Sequence, residues 1–322
     1  VVNSAMLAYT LVPSRMMLGN AITEEALEQL KTPPPGFPDT RITVSHYEVF
    51  KVLSMVFKRD ADGDLSFYER TSRVVEESDA VALMACEEME GPFCEYLRRE
   101  YQKPVLLTGP ILPALGDEPL EKKWAEWLGK FEEGSVVYCG LGSQAVLEKA
   151  QFEELVMGFE MTGLPFLVAL SPPKGCGSVE EALPEGFKER VKDRGWVYGG
   201  WVPQAEIVSH PAVGCFVGHC GLGCMWEAMR GECQIVLIPQ MVDHFMGSKL
   251  MVEELRLAVE VERGERMWIS KENLSRAVSS VMDTRSPLAN EIRTNHANLK
   301  NKIFSQPSYM TNFIRSLSTL IQ

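Results

Sequence analysis

The stretch WVPQAEIVSHPAVGCFVGHCGLGCMWEAMRGECQIVLIPQMVDH, from Trp201 to His244, decides the fold of this 322-residue chain. It holds two apolar runs, CFVG and QIVLIP, separated by a glycine-rich turn and the helical segment GCMWEAMR. A strand, a glycine-rich turn and a helix start form a unit whose free backbone N–H groups can face a phosphate. The stretch therefore predicts a parallel sheet with a ligand site at the carboxyl ends of its strands.

The same alternation continues on both sides of this stretch. The strand-like runs VVYCG, PFLVAL and WVY precede it, and LAVEVE follows it. Phe152, Leu155, Val156 and Phe159 recur at helical spacing between the first two runs. Further upstream, DAVALM and PVLLTGP are predicted strands on either side of the helical EEMEGPFCEYLRREY, and the last segment is a predicted helix. Strands that alternate with helices predict βαβ units and the α/β fold class.

The composition excludes several classes of protein. With a formal net charge of -12, the chain repels a phosphate polymer on average, so nucleic acid is not an expected partner. No apolar run approaches the ~20 residues that span a bilayer, so membrane insertion is not expected. The eight cysteines lack regular spacing, which favours reduced thiols, and without a visible signal peptide the expected location is the cytoplasm.

Two polar side chains flank the glycine-rich turn formed by Gly218, Gly221 and Gly223. His219 ends the CFVG strand and could donate to a phosphate oxygen, although a lone histidine is more often satisfied inside a fold. Glu227 lies on the following helix, where a carboxylate can accept two ribose hydroxyls. Taken alone, a solvated helix residue is the simpler interpretation of Glu227, and a glycine turn alone is weak evidence.

Three more side chains follow predicted strands. Trp201 could stack on a base, and a core position is an equally good interpretation of that indole. Asp243 and His244 follow QIVLIPQ and could bind sugar hydroxyls, while Asp243 is also a good N-cap residue for the next helix. Together with the glycine turn, these residues suit a nucleotide sugar: a stack for the base, an acid for the ribose and donors for the phosphates.

A metal site is the competing interpretation of the same stretch. His219, Cys220, Cys224 and Cys233 carry ligand types that zinc prefers. Their spacing fits no common structural zinc site, in which paired cysteines are followed by a second pair. No metal ligand is therefore predicted.

The stretch resembles the signature box of plant UDP-dependent glycosyltransferases, in register over all 44 positions. The resemblance extends to TLVPSR, CEEMEGPFCEYL, PVLLTGPILP, VVYCGLGSQ and GLPFLVAL, and so covers essentially the whole chain. The residues of the box that match are Trp201, Pro203, Gln204, His210, Gly214, Phe216, His219, Gly221, Glu227, Gly231, Pro239 and Asp243.

The resemblance implies the GT-B fold, an α/β architecture of two facing Rossmann-like domains with parallel sheets, the N-terminal one incomplete here. The expected order is the later part of an acceptor-binding domain, a linker, a UDP-sugar-binding domain and a C-terminal helix that packs back on the first domain. The corresponding boundaries are 1–110, 111–125, 126–306 and 307–322.

The resemblance also assigns donor-binding roles. It implies that Trp201 stacks on uracil, that the Val202 backbone pairs with the uracil edge, and that Gln204 and Glu227 hold the ribose. The residues implied around the diphosphate are Ser143, His219, Gly223 and Cys224, and those implied on the sugar are Asp243 and His244. Gly221 of the glycine-rich turn is a further expected donor-binding residue.

Four positions depart from the family pattern. The family usually has Trp-Asn-Ser where this chain has Leu222, Gly223 and Cys224, so a side-chain phosphate donor is lost and backbone N–H groups must carry more of that role. The last box position is usually Gln and is His244 here, a change that resembles members using galactose or a pentose. MWEA and CQIVLIPQ resemble the branch that glycosylates flavonoid or anthocyanin glycosides.

The family's reaction is inverting, and a histidine near the start of the N-terminal domain takes the proton of the acceptor hydroxyl. No residue of this chain matches that histidine or its orienting Asp, and His46 and His296 do not stand in the matching contexts. We therefore expect the base in an upstream segment, because the chain opens on VVNSAMLAYTLVP, which resembles the interior of a domain.

The functional expectation is a UDP-sugar-dependent transferase that delivers a hexose or pentose to a flavonoid or anthocyanin glycoside. It needs no metal or other cofactor beyond the UDP-sugar co-substrate, and it acts as a monomer. The acceptor is expected partly on VPSR (12–15) and PPPGFPD (33–39). A non-catalytic or degenerate UDP-sugar-binding protein is the alternative.

Overall fold

The protein is described by a computed structural model that covers residues 4–10, 24–38, 41–59, 65–112, 120–143, 145–264, 267–305 and 308–321. Contacts along the chain divide it into two compact units. The first unit comprises Val1–Ile111, Met241–Leu255 and Leu299–Gln322, and the second unit comprises Leu112–Gln240 and Arg256–Asn298. The acceptor stretch VPSR and positions 113–119 of the expected linker lie outside the described residues.

The first 111 residues hold five helices and two short strands among the residues described. The elements are α1 (Ser4–Thr10), α2 (Glu24–Lys31), α3 (His46–Val52, continued by a π-helical turn at Leu53–Phe57), α4 (Phe67–Glu77), β1 (Val81–Leu83), α5 (Glu87–Tyr101) and β2 (Val105–Leu107). β1 and β2 pair in parallel, with Val81 opposite Val105. The strands and helices predicted from DAVALM, EEMEGPFCEYLRREY and PVLLTGP are confirmed.

The rest of the chain alternates strands and helices as the sequence predicts. The elements are α6 (Lys122–Leu128), β3 (Val136–Gly140), α7 (Lys149–Thr162), β4 (Phe166–Ala169), α8 (Val179–Ala182), α9 (Phe187–Val191), β5 (Gly195–Tyr198), α10 (Gln204–Val208), β6 (Val213–Gly218), α11 (Leu222–Arg230), β7 (Gln234–Leu237), α12 (Val242–Lys249, continued by a π-helical turn at Leu250–Glu254), β8 (Ala258–Glu260), α13 (Lys271–Met282), α14 (Pro287–Phe304) and α15 (Ser308–Ile321).

The second unit is built on a six-stranded parallel sheet in the order β5-β4-β3-β6-β7-β8. Every residue of β3 and β7 is buried, which explains why these strands read as continuous apolar runs rather than as an alternating pattern. From β3, the chain adds β4 and β5 on one side and then returns to add β6, β7 and β8 on the other side. The strand order therefore reverses direction between β3 and β6, the two central strands. In a doubly wound sheet this is the point where the carboxyl ends of the strands open a crevice for a ligand.

A β-bulge lies between β3 and β6. Val136 pairs with Val213 but Val137 pairs with Cys215, so Gly214 is the extra residue on β6. The Gly134 carbonyl packs directly against Gly214, and a Cβ there would overlap it. Only glycine therefore allows the two backbones to approach at this point.

The first unit has a separate apolar core around Tyr9, Leu30, Phe93 and Leu97. Phe37, from the PPPGFPD segment, packs against this core, with its ring centroid 5.4 Å from that of Tyr9. α15 lies against β2 in the same unit, and the Tyr309 hydroxyl accepts a hydrogen bond from the Glu87 backbone N–H at 2.9 Å. The two units are defined by contacts between residues, and this definition does not test where the functional domains begin and end. The domain boundaries expected from the sequence therefore remain predictions.

Candidate functional site

A pocket of about 440 Å³ opens at the carboxyl ends of β3, β4 and β5 in the second unit. It has the size of a small-molecule site and lies on the β3 side of the switch point, at the carboxyl ends of the strands where parallel sheets bind ligands. Its lining residues are Tyr138, Gly140, Gly142, Ser143, Ala169, Leu170, Ser171, Gly199, Gly200, Trp201, Val202 and Gln204. Four of the residues expected from the sequence thus share one pocket: Ser143, Trp201, Val202 and Gln204.

Trp201 is 77% exposed at the edge of this pocket. The core interpretation of this tryptophan is therefore wrong, because a core indole is buried. Val202 follows on the pocket wall, and its carbonyl accepts the Gln204 backbone N–H at 2.9 Å. An exposed aromatic face beside backbone polar groups is an arrangement that can hold a planar base.

Gln204 connects the pocket to Glu227. The Gln204 Nε2 donates to Glu227 Oε2 at 2.8 Å, and Glu227 is half-buried on α11. The interpretation of Glu227 as merely a solvated helix residue is therefore wrong. An amide and a carboxylate held side by side offer both a donor and acceptors, which suits a pair of vicinal hydroxyls.

Tyr138 joins the same chain of hydrogen bonds from the floor of the pocket. Its hydroxyl donates to Gln204 Oε1 at 3.3 Å. Burial raises the pKa of the Tyr138 phenol well above its ordinary value, so the hydroxyl keeps its proton. A Cβ on Gly140 would lie 2.6 Å from Gln204 Oε1 and 2.8 Å from the Tyr138 hydroxyl, so the absence of a side chain at Gly140 makes room for this contact.

His219 lies in the turn between β6 and α11, next to the pocket. Its half-buried ring packs over Gly221 and against Gly142, which lines the pocket. The Cys224 sulphur lies 3.9 Å from His219 Nδ1. The structure thus brings His219, Gly221 and Cys224 together around one turn, at the carboxyl end of β6.

The start of α11 offers backbone donors in the same turn. Leu222, Gly223 and Cys224 are its first three residues, ahead of the first intrahelical hydrogen bond, from the Met225 N–H to the Gly221 carbonyl at 3.0 Å. The Cys224 thiol donates to that same carbonyl at 3.0 Å. Burial raises the pKa of Cys224 to about 12, so the thiol stays neutral and places no negative charge beside the helix N-terminus.

Asp243 and His244 lie in the first turn of α12, which belongs to the first unit. Met241 is the N-cap of that helix and Asp243 its second residue, so the N-cap interpretation of Asp243 is wrong. The buried His244 accepts the Met241 backbone N–H through Nδ1 at 3.1 Å, and its Nε2 lies 3.9 Å from Asp243 Oδ1. The pair is thus held together within its own unit, while the pocket belongs to the other unit.

Several histidines have structural environments. His210, a residue of the signature box, accepts the Ala212 N–H through Nδ1 at 3.2 Å, and burial lowers its pKa, which keeps it in the neutral, accepting form. His296 is buried with Nε2 3.1 Å from the Met229 carbonyl, and His46 is exposed at the start of α3. No ligand is therefore needed to account for the positions of these three histidines.

Within the described parts of the chain, no three His, Cys, Asp or Glu side chains are grouped to hold a metal ion. All eight cysteines are free, and seven of them are buried. Among the helices that the structure describes, none has the length and apolar character needed to cross a bilayer.

Sequence reasoning missed part of the pocket. Tyr138 and Gly140 were assigned to a strand but not to a site, and Ser171, Gly199 and Gly200 were not singled out. The positions of Gly140, Ser171, Gly199 and Gly200 at or just beyond the ends of β3, β4 and β5 were the available signal, because ligands of a parallel sheet gather at those ends. Tyr138 lies in the middle of β3 and offered no such signal.

Known proteins are similar to this chain over its whole length. The model of the UDP-glucoronosyl and UDP-glucosyl transferase family matches residues 93–298. UDP-glycosyltransferase 79B6 of Arabidopsis thaliana is 46% identical over 325 aligned positions, which cover 100% of this chain and 69% of the relative. The anthocyanidin 3-O-glucoside 2'''-O-xylosyltransferase of the same plant is 47% identical over 302 positions, covering 92% of this chain and 64% of the relative.

Solved structures with the same fold include TcCGT1 in complex with UDP, with a TM-score of 0.80 at 23% identity over 99% of this chain and 70% of that one. Phytolacca americana UGT2 complexed with UDP-2fluoro-glucose and pterostilbene gives a TM-score of 0.70 at 23% identity, over 79% of this chain and 57% of that one. These similarities confirm the GT-B fold class. From the family match and the identity to the two curated relatives, the chain belongs to the plant UDP-glycosyltransferase family.

Proposed function

We propose that the pocket of the second unit binds the uridine part of a UDP-sugar, and that the protein transfers the sugar to a hydroxyl of a phenolic glycoside. The observation that carries the proposal is the Gln204–Glu227 pair, joined at 2.8 Å on a pocket that the 77% exposed Trp201 borders. A stacking indole and a paired amide and carboxylate match a base and its ribose in one ligand.

The diphosphate is proposed to lie against the turn between β6 and α11. His219, Ser143 and the backbone N–H groups of Gly223 and Cys224 would meet its charge. The N-terminus of α11 adds a favourable dipole there, and the absence of a side chain at Gly221 leaves room for the His219 ring. Cys224 supports this role through its backbone only, because its thiol is occupied by the Gly221 carbonyl.

The sugar is proposed to be a hexose or a pentose. One related protein supports the choice of substrates. The similar xylosyltransferase is named for an anthocyanidin 3-O-glucoside acceptor, which supports a pentose donor and an anthocyanin glycoside acceptor. None of the residues that the structure describes is proposed as the general base, and no metal is proposed in the reaction.

The proposal is tested by titrating the 322-residue chain calorimetrically with UDP, UDP-glucose, UDP-galactose and UDP-xylose. A parallel assay measures UDP release with an anthocyanidin 3-glucoside as acceptor. We expect UDP and at least one UDP-sugar to bind, without turnover by this chain alone. Absence of UDP binding by the folded chain would contradict the donor site, and turnover would show that these 322 residues include a general base.

Trp201→Ala is expected to weaken UDP binding about tenfold, because stacking of a base on an aromatic side chain is worth about 1–3 kcal/mol. Trp268, 41% exposed in the same unit, provides the matched control, and Trp268→Ala should leave UDP affinity unchanged. Calorimetry measures both. If Trp201→Ala and the unsubstituted chain bind UDP with equal affinity, the indole does not stack on the base.

A further inference from the structure

Tyr138 occupies a position where its side chain reaches the pocket from inside the sheet. It is fully buried in β3, and its ring stacks on Phe216 of β6 with centroids 5.7 Å apart and planes 17° apart. Tyr138 and Phe216 are also paired in register between the two strands. The ring is therefore held firmly, and the hydroxyl at its tip has a fixed position.

That hydroxyl meets the oxygen end of the Gln204 amide at 3.3 Å, while the nitrogen end meets Glu227 Oε2 at 2.8 Å. The carboxylate accepts only, so it requires the NH₂ group of Gln204 on its side. The amide oxygen must then face Tyr138, whose hydroxyl is the donor. The direction of the hydrogen bonds along Tyr138, Gln204 and Glu227 is thus fixed by the chemistry of the three groups.

We propose that Tyr138 is a positioning residue for the ribose site: its hydroxyl holds Gln204, and Gln204 holds the Glu227 carboxylate that reads the ribose hydroxyls. The inference rests on the proposed function, since it assigns the ribose to this pair. Burial raises the Tyr138 pKa and keeps the hydroxyl protonated, so the donor is present throughout the neutral pH range. Gly140 leaves the space in which the Tyr138 hydroxyl and Gln204 meet.

A purely structural role for Tyr138 makes a different prediction. A core tyrosine that loses its hydroxyl changes stability but does not change which hydroxyls of a ligand are recognised. The informative quantity is therefore the ratio of affinities for UDP and 2'-deoxy-UDP. This ratio reports on the ribose contacts and cancels effects on the base and phosphate contacts.

The variant is Tyr138→Phe, which keeps the ring stacked on Phe216. We expect the unsubstituted chain to prefer UDP over 2'-deoxy-UDP, and Tyr138→Phe to reduce that preference about fivefold, the effect of one neutral hydrogen bond. Tyr9→Phe is the matched control, because the Tyr9 hydroxyl donates to the Leu30 carbonyl at 2.8 Å, buried in the first unit. It should lower the melting temperature and leave the preference unchanged.

A double-mutant cycle then tests whether Tyr138 acts through Gln204. In a Gln204→Ala background, adding Tyr138→Phe should leave the preference as it is, because the amide that Tyr138 orients is gone. Equal preferences in Tyr138→Phe and the unsubstituted chain, or additive effects in the cycle, would overturn the inference alone. Absence of UDP binding by the unsubstituted chain would overturn the proposed function, and the inference with it.

Discussion

Glu227→Ala is expected to weaken UDP binding about 10- to 100-fold, because hydrogen bonds to a charged acceptor contribute about 1.5–3 kcal/mol. The carboxylate lies half-buried on α11 and is held by Gln204 at 2.8 Å, so its oxygens are already oriented for the ribose. Its loss removes the ribose acceptor and also leaves the Gln204 amide without its partner. Calorimetric titration with UDP and with 2'-deoxy-UDP measures the effect.

The comparison of the two nucleotides sharpens this test. In Glu227→Ala the preference for UDP over 2'-deoxy-UDP should be lost, because the group that distinguishes them is missing. Glu189, exposed on α9 of the same unit, is the control for the change in net charge, and Glu189→Ala should bind UDP normally. A Glu227→Ala variant that keeps both its affinity and its preference would place the ribose elsewhere.

Gly214→Ala is expected to destabilise the second unit by about 3 kcal/mol, or roughly 6–12 °C in melting temperature for a unit of this size. The added methyl group would overlap the Gly134 carbonyl at the bulge between β3 and β6. A backbone group cannot rotate away as a side chain can, so the two central strands of the sheet must separate. Thermal unfolding followed by circular dichroism measures the change.

The control for this prediction is Gly264→Ala, at an exposed position where an added Cβ would find its nearest neighbour at 3.7 Å. That variant should unfold within a degree or two of the unsubstituted chain. UDP titration of Gly214→Ala below its melting temperature separates the two possible roles. Unchanged stability with weakened UDP binding would mean that Gly214 serves the ligand and not the sheet.

The sequence was sufficient to predict the sheet of the second unit, because its central strands are continuous apolar runs bounded by glycine or proline. The segment HFMGSKLMVEEL (244–255) has the pattern of a single helix, but the structure divides it between α12 and a π-helical turn at Leu250–Glu254. The spacing of apolar residues does not distinguish an α-helix from a short π-helical turn, since both place similar residues on one face. α1, α2 and α3 were not predicted, because each is short and its apolar face is decided by packing in the first unit.

The site was predicted where residues are close along the chain, and missed where they meet only through the sheet. His219, Gly221 and Cys224 come together in one turn. Tyr138 and Gln204 are far apart in sequence and become neighbours because α10, which begins at Gln204, packs against β3. No local pattern in a strand such as VVYCG indicates which residue will face a partner brought in by strand order.

The signature box also contains residues whose function is structural. Gly214 closes the bulge and His210 accepts the Ala212 N–H, so neither needs a ligand to explain its presence. The resemblance alone does not separate these residues from Trp201 or Glu227. The contacts of each residue in the structure distinguish the structural residues from the candidate ligand-binding ones.

The position of β3 at the centre of the sheet has a consequence for how the protein is made on the ribosome. One edge of β3 pairs with β4, which is synthesised soon after it, but the other edge can pair only after β6 has been synthesised. At a translation rate of about 5–20 residues per second, the interval of about 75 residues between the two strands takes roughly 4–15 s. For that time the nascent chain carries an apolar strand with one row of backbone groups unpaired, and unpaired strand edges of this kind favour aggregation.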